Sequence, residues 1–171
     1  MESFTTPDGR RVAYAEWGDR GGIPVMYCHG FPGSRLEARL ADAPARELGV
    51  RLIAADRPGF GGSTLLAGRR FGDWPRDLAA LADELAISRF HLIGVSGGAP
   101  YAIASGLALG ERVSRIALVC GLGEYTGPDP TIGMNAAAAA AINLQRHWPR
   151  LGQQAYLRFV GPLLGRFPDL V

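Results

Sequence analysis

Short apolar runs separated by longer mixed stretches set the rhythm of this chain. Val25 to Cys28, Arg51 to Ala55, Phe90 to Val95 and Val113 to Cys120 are compact and apolar enough to be strands buried on both faces. The segments between them carry helical spacing. Strands alternating with helices predict an α/β fold, a mostly parallel sheet with helices on both faces. Ahead of these runs, Ser3 to Thr6 and Arg11 to Trp17 flank the turn signature Pro7-Asp8-Gly9 and predict an opening hairpin.

Helix boundaries follow from capping residues. Ser34-Arg35-Leu36-Glu37 has capping-box spacing, and Pro44 is expected to break this segment into two pieces before Gly49 ends it. Asp73 is expected to cap a second helix with Pro75 in its first turn, where Leu78, Leu81, Ala82 and Leu85 share one face. A third helix, from about Gly98 to Leu109, is apolar nearly all round and is expected to lie buried beneath other layers. After Gly121 the composition shifts. Gly123, Gly127, Pro128 and Pro130 break regular structure, an Ala-rich helix follows from about Met134 to His147, and Trp148-Pro149 stops it. Beyond Arg150 one more amphipathic helix is expected, with Tyr156, Phe159, Val160 and Leu163 as apolar contacts.

Composition narrows the function. With 171 residues, 47% of them hydrophobic, the chain can bury a core of about one domain. The net charge of +2 is spread without a run or stripe, so no nucleic-acid partner is expected. All 18 basic residues are Arg, which excludes a Lys-dependent phosphate loop or Schiff-base chemistry. The N-terminal residues lack an apolar stretch behind positive charge, and Ile132 to Leu144 is too short to span a bilayer, so the expectation is a cytoplasmic chain with no membrane partner. Cys28, Cys120 and three scattered histidines show no zinc-ligand spacing; no metal or other cofactor is expected, and both thiols are read as buried.

Three motifs carry the candidate chemistry. Gly94-Val95-Ser96-Gly97-Gly98 matches G-x-S-x-G between a strand and a helix, the context in which a serine is thrust out on a sharp turn. Small residues at Gly94 and Gly98 let strand and helix pass closely, although a glycine-rich turn with an incidental serine has the same letters. His29-Gly30-Phe31-Pro32-Gly33 follows the strand Val25 to Cys28, where a loop can aim the Phe31 N–H at the same point as the Gly97 N–H. Asp56-Arg57-Pro58-Gly59-Phe60-Gly61-Gly62-Ser63 also follows a strand; Asp56 reads better as holding a turn through local hydrogen bonds than as a catalytic carboxylate.

In this order, the three motifs resemble the α/β-hydrolase superfamily, whose HG-x-P, D-x-P-G-x-G-x-S and G-x-S-x-G pattern they follow over roughly residues 3 to 125. The resemblance implies an eight-stranded core, Ser96 as nucleophile, and Phe31 and Gly97 as oxyanion-hole donors, with His29, Gly30, Asp56, Gly94 and Gly98 supporting the motifs. It also implies a strand order that places one strand between those of Cys28 and Cys120, too far for a disulfide. A serine at the elbow, where dehalogenase-like and epoxide-hydrolase-like members carry aspartate, implies acyl transfer to water from a small ester, lactone or related acyl substrate, as in esterases, lipases, lactonases or C–C bond hydrolases; acyltransferases and cofactor-free haloperoxidases share the same site and stay open.

The family's acid and histidine usually follow later strands, for which this sequence has no match. The chain is therefore expected to be an incomplete hydrolase, with residues 1–125 as the N-terminal part of the core and 126–171 as the start of a helical lid. The alternative is a non-catalytic ligand-binding module or inactive fragment on the same fold. His91 starts the strand that ends at Ser96 and lies at the wrong end; His29 reads as a turn residue; His147 reaches the serine only if its helix folds over it. Glu124 reads as a solvated loop residue. An uncovered edge at the sixth strand invites a second copy or a complementing chain.

Overall fold

The computed structural model describes residues 2–123, 129–155 and 158. Six strands form one sheet among them: β1 (Glu2–Thr5), β2 (Arg11–Gly18), β3 (Ile23–Cys28), β4 (Val50–Ala55), β5 (Phe90–Val95) and β6 (Val113–Val119), in the order β1-β2-β4-β3-β5-β6. The opening hairpin is antiparallel and β2 joins β4 antiparallel, whereas β4, β3, β5 and β6 run parallel. Each parallel neighbour therefore needs a crossover, and the helical segments supply it.

Successive side chains on a strand point to opposite faces, and the two apolar clusters divide on that period. Met26 and Cys28 of β3 join Ile53, Ala55, Leu78, Leu81, Phe90, Leu92 and Tyr101 on one face. Val25 and Tyr27 join Ala38, Ala45, Leu52 and Ala54 on the other. The first face is covered by α2 (Trp74–Glu84) and α3 (Ala99–Leu109), the second by a 3₁₀ helix over Arg35–Ala41 and by α1 (Asp42–Glu47).

Several expectations need correction. The break in the first helical segment falls between Ala41 and Asp42, and Pro44 sits inside the first turn of α1, where its missing N–H is harmless. Ser34 does cap, accepting the Leu36 N–H at 3.3 Å. Asp73 makes no side-chain cap to α2; its carboxylate accepts the Arg70 N–H at 2.7 Å and closes a preceding 3₁₀ turn instead. α3 is not buried all round: Ala99, Tyr101, Ala102 and Ser105 face inward, but Ile103 and Leu107 are exposed, Leu107 at 83%. Cys120 is exposed, because it lies just past the end of β6, whereas Cys28 is buried; both thiols are free, with β5 lying between β3 and β6.

The chain divides into two compact units, Met1–Leu122 and Gly123–Val171. The second contains α4 (Ala136–His147), capped by Asn135 Oδ1 accepting the Ala138 N–H at 2.9 Å, and α5 (Pro149–Ala155). Glu124 and the apolar contacts expected at Tyr156, Phe159, Val160 and Leu163 lie outside the described residues. No helix among the described residues is long and apolar enough to cross a membrane.

Candidate active site

Register brings the motif ends together. Cys28 pairs with Gly94 and Tyr27 with Ala54, so β3, β4 and β5 deliver His29, Asp56 and Ser96 to the same edge of the sheet. Ser96 follows β5 directly and adopts φ +48, a left-handed conformation that a residue with a side chain holds only under constraint, at about 1–3 kcal/mol. The next turn is a 3₁₀ helix, Ser96–Gly98, leading into α3.

Crowding around the elbow explains its glycines. A Cβ on Gly98 would lie 2.0 Å from the Cys28 carbonyl oxygen, and one on Gly94 would lie 2.8 Å from both the Ala99 Cα and the Ala102 Cβ. Strand and helix cross too closely for any side chain at either place. A Cβ on Gly97 would lie 3.2 Å from the Phe31 backbone nitrogen, and one on Gly30 would lie 3.6 Å from the Ser96 Cβ. The His29–Gly33 loop and the serine turn therefore meet, with the Phe31 main chain against Gly97. The Phe31 ring is 56% exposed and stands edge-on to Phe60 at 6.2 Å.

His29 is fully buried, and both of its ring nitrogens are engaged. Nε2 accepts the Arg57 N–H at 3.3 Å, which assigns the proton to Nδ1, 2.9 Å from the Gly30 carbonyl oxygen that it donates to. Burial, reinforced by the Arg57 charge, pulls its pKa down to about 3, so the ring stays neutral. Asp56 is equally committed. Its carboxylate accepts the Arg35 N–H at 2.6 Å, the Gly62 N–H at 2.8 Å and the Arg35 guanidinium, a set of bonds that holds the turn. His91 pairs with Val25 near the start of β5, at the opposite end of the strand from Ser96. In the second unit, His147 Nδ1 lies 3.0 Å from the Asn143 carbonyl of its own helix.

Three residues at the site went unread in the sequence. Glu37 accepts the Gly30 N–H at 2.9 Å and the Tyr27 O–H at 2.8 Å, reaching the His29–Gly33 loop from the 3₁₀ helix. Arg57, 1% exposed, donates to the carbonyls of His29 and Gly30. Tyr101 of α3 stacks beneath the Arg57 guanidinium at 4.6 Å. Glu37 was visible as the fourth position of a capping box and Arg57 as the second position of its motif, but neither pattern says where a side chain is sent. Among the described residues no group of acidic, His or Cys side chains is arranged to hold a metal ion.

This sheet order, with a strained serine elbow at the edge where the motif loops meet, is an α/β-hydrolase core. The alpha/beta hydrolase fold family matches residues 23–169, and the chain belongs to it. It is 37% identical over 134 residues to the dihydrolipoyllysine-residue acetyltransferase component of an acetoin cleaving system from Pseudomonas putida, covering 76% of this chain and 36% of that one. It is 38% identical over 141 residues to a 2-hydroxy-6-oxononadienedioate/2-hydroxy-6-oxononatrienedioate hydrolase from Burkholderia vietnamiensis, covering 75% and 47%. An esterase from Exiguobacterium antarcticum has the same fold, with TM-score 0.69 and 22% identity over 90% of this chain and 59% of that one. The chain spans less than half the length of these two curated relatives.

Proposed function

We propose that this chain carries the nucleophile and oxyanion half of a serine hydrolase acting on a small ester-like acyl substrate. The observation that carries the reading is Ser96 held at φ +48 on the turn that sets Gly97 against the Phe31 backbone nitrogen. In this reading the Ser96 Oγ attacks the acyl carbon, the carbonyl electron pair moves onto oxygen, and the Phe31 and Gly97 N–H groups stabilise that oxyanion. The serine proton passes to a base, which returns it to the leaving oxygen as the tetrahedral species collapses and its C–O bond breaks to release the alcohol; water then hydrolyses the acyl-serine, giving the acid and restoring the serine hydroxyl. The hydrolase from B. vietnamiensis supports hydrolysis as the reaction class. Elbow and oxyanion donors alone are worth about 10³ to 10⁴-fold over water, the residue of triad catalysis on other scaffolds.

A second reading, a ligand-binding module without turnover, is favoured by the two histidines of the first unit. His29 has both ring nitrogens bonded within the fold, and His91 lies at the wrong strand end. Intact-mass analysis after treatment with a fluorophosphonate separates the two. A single adduct, lost in Ser96→Ala, supports an activated serine in this chain; a folded protein that takes no adduct overturns turnover by this chain on its own and favours binding alone.

A further inference from the structure

We propose that Arg57 is a positioning residue whose guanidinium grips the carbonyls of His29 and Gly30 and so fixes the direction in which the Phe31 N–H faces Ser96. The geometry follows from peptide planarity. In a trans peptide unit the C=O and the N–H point opposite ways, so holding one sets the other. The Gly30 carbonyl and the Phe31 N–H belong to one peptide unit; Arg57 Nη2 donates to that carbonyl at 2.9 Å, and His29 Nδ1 donates to the same oxygen. The preceding unit is held at both ends: Arg57 Nη1 bonds the His29 carbonyl, and Glu37 accepts the Gly30 N–H at 2.9 Å. The first of these two consecutive peptide planes is therefore held at its carbonyl, the second at both ends, and the Phe31 nitrogen lies 3.2 Å from where a Cβ on Gly97 would stand.

The setting of Arg57 argues against general stabilisation as its role. It is 1% exposed and makes no ion pair with a carboxylate among the described residues. Its partners are the two carbonyls and the faces of Phe60 and Tyr101, at 5.0 and 4.6 Å, and its Nε has no hydrogen-bond partner among the described residues. A buried charge is expensive, and well-packed apolar side chains fill such a space at least as stably. What an apolar side chain lacks is the planar fork that reaches two carbonyl oxygens at once. Burial draws the guanidinium pKa down to about 10, still well above neutrality, so the clamp stays charged.

The inference rests on the serine-hydrolase reading for its consequence and on the loop geometry for its mechanism, and two measurements keep these apart. The first is peptide-level hydrogen exchange on the whole chain. Arg57→Met is expected to raise exchange in residues 29–34 at least about tenfold while β3 stays protected; Arg57→Lys, able to reach one carbonyl, should show a smaller rise. Arg10→Met, which breaks a remote ion pair with Asp77, should leave the loop unchanged. The second is affinity for phenylboronic acid, which forms a tetrahedral adduct on an activated serine. Arg57→Met should weaken it by about 10²-fold, the effect of a roughly 1 Å misplacement. Unchanged loop exchange in both Arg57 variants, or exchange that rises equally throughout the sheet, overturns the clamp. A wild-type chain that takes up no boronate, with the loop exchange behaving as expected, strikes the hydrolase reading and leaves the clamp standing.

Discussion

Two residues show how the site is made rigid at a cost elsewhere. The buried imidazole of His29 stays neutral until about pH 3, whereas an unfolded histidine takes a proton near 6.5. Between those values unfolding takes up a proton, so acid favours the unfolded chain. Stability should fall as pH drops below about 6.5, with a slope approaching about 1.4 kcal/mol per pH unit. Urea titrations from pH 7 to 4.5 check this; His29→Gln should flatten the slope, and an unchanged slope would assign it elsewhere. The lowered carboxylate of Asp8, at about 2, loses its contribution only below 3.8, outside that window. At Gly98 the constraint is contact. Gly98→Ala drives a methyl into the Cys28 carbonyl and should lower the unfolding free energy from urea melts by about 1–3 kcal/mol or more, whereas Gly72→Ala, with nothing within 4 Å, should stay within about 0.5 kcal/mol.

Among the elements, α2 and α3 behave oppositely although both lie on the same sheet face. α2 is amphipathic and buries Leu78 and Leu81 almost completely, so its stripe of apolar positions could be read directly as a packing face. α3 is apolar in sequence on every side, and no periodicity distinguishes the inward Ala102 from the outward Leu107. Leu81→Ala should cost about 2–5 kcal/mol, while Leu107→Ala should change stability by less than about 0.5 kcal/mol. Denaturant melts of the two variants check the contrast. The elbow between β5 and α3 needed the sheet register as well, because the approach of Phe31 to Gly97 depends on β3 lying beside β5.

At the scale of the molecule, β6 is one of the two edge strands of the sheet among the described residues, and its Ile116, Leu118 and Val119 are 40%, 49% and 47% exposed. A long apolar strand with an unpaired hydrogen-bonding edge is a template for another chain. The protein is expected to self-associate at micromolar concentration, and Leu118→Lys should shift it toward monomer; sedimentation velocity that finds only monomer for both would remove this expectation. The sequence by itself determined the α/β alternation, the opening hairpin, the four central strands and the three motif loops, because each is written in local periodicity or in turn residues with fixed backbone needs. Only the tertiary structure decided that Asp56 is consumed by Arg35, that His29 has no free nitrogen, that Cys120 and one side of α3 lie open, and that Arg57 and Glu37 bond the main chain of His29 and Gly30. Those outcomes depend on which long side chain reaches which backbone atom across strands far apart in the chain, and no local pattern encodes that distance.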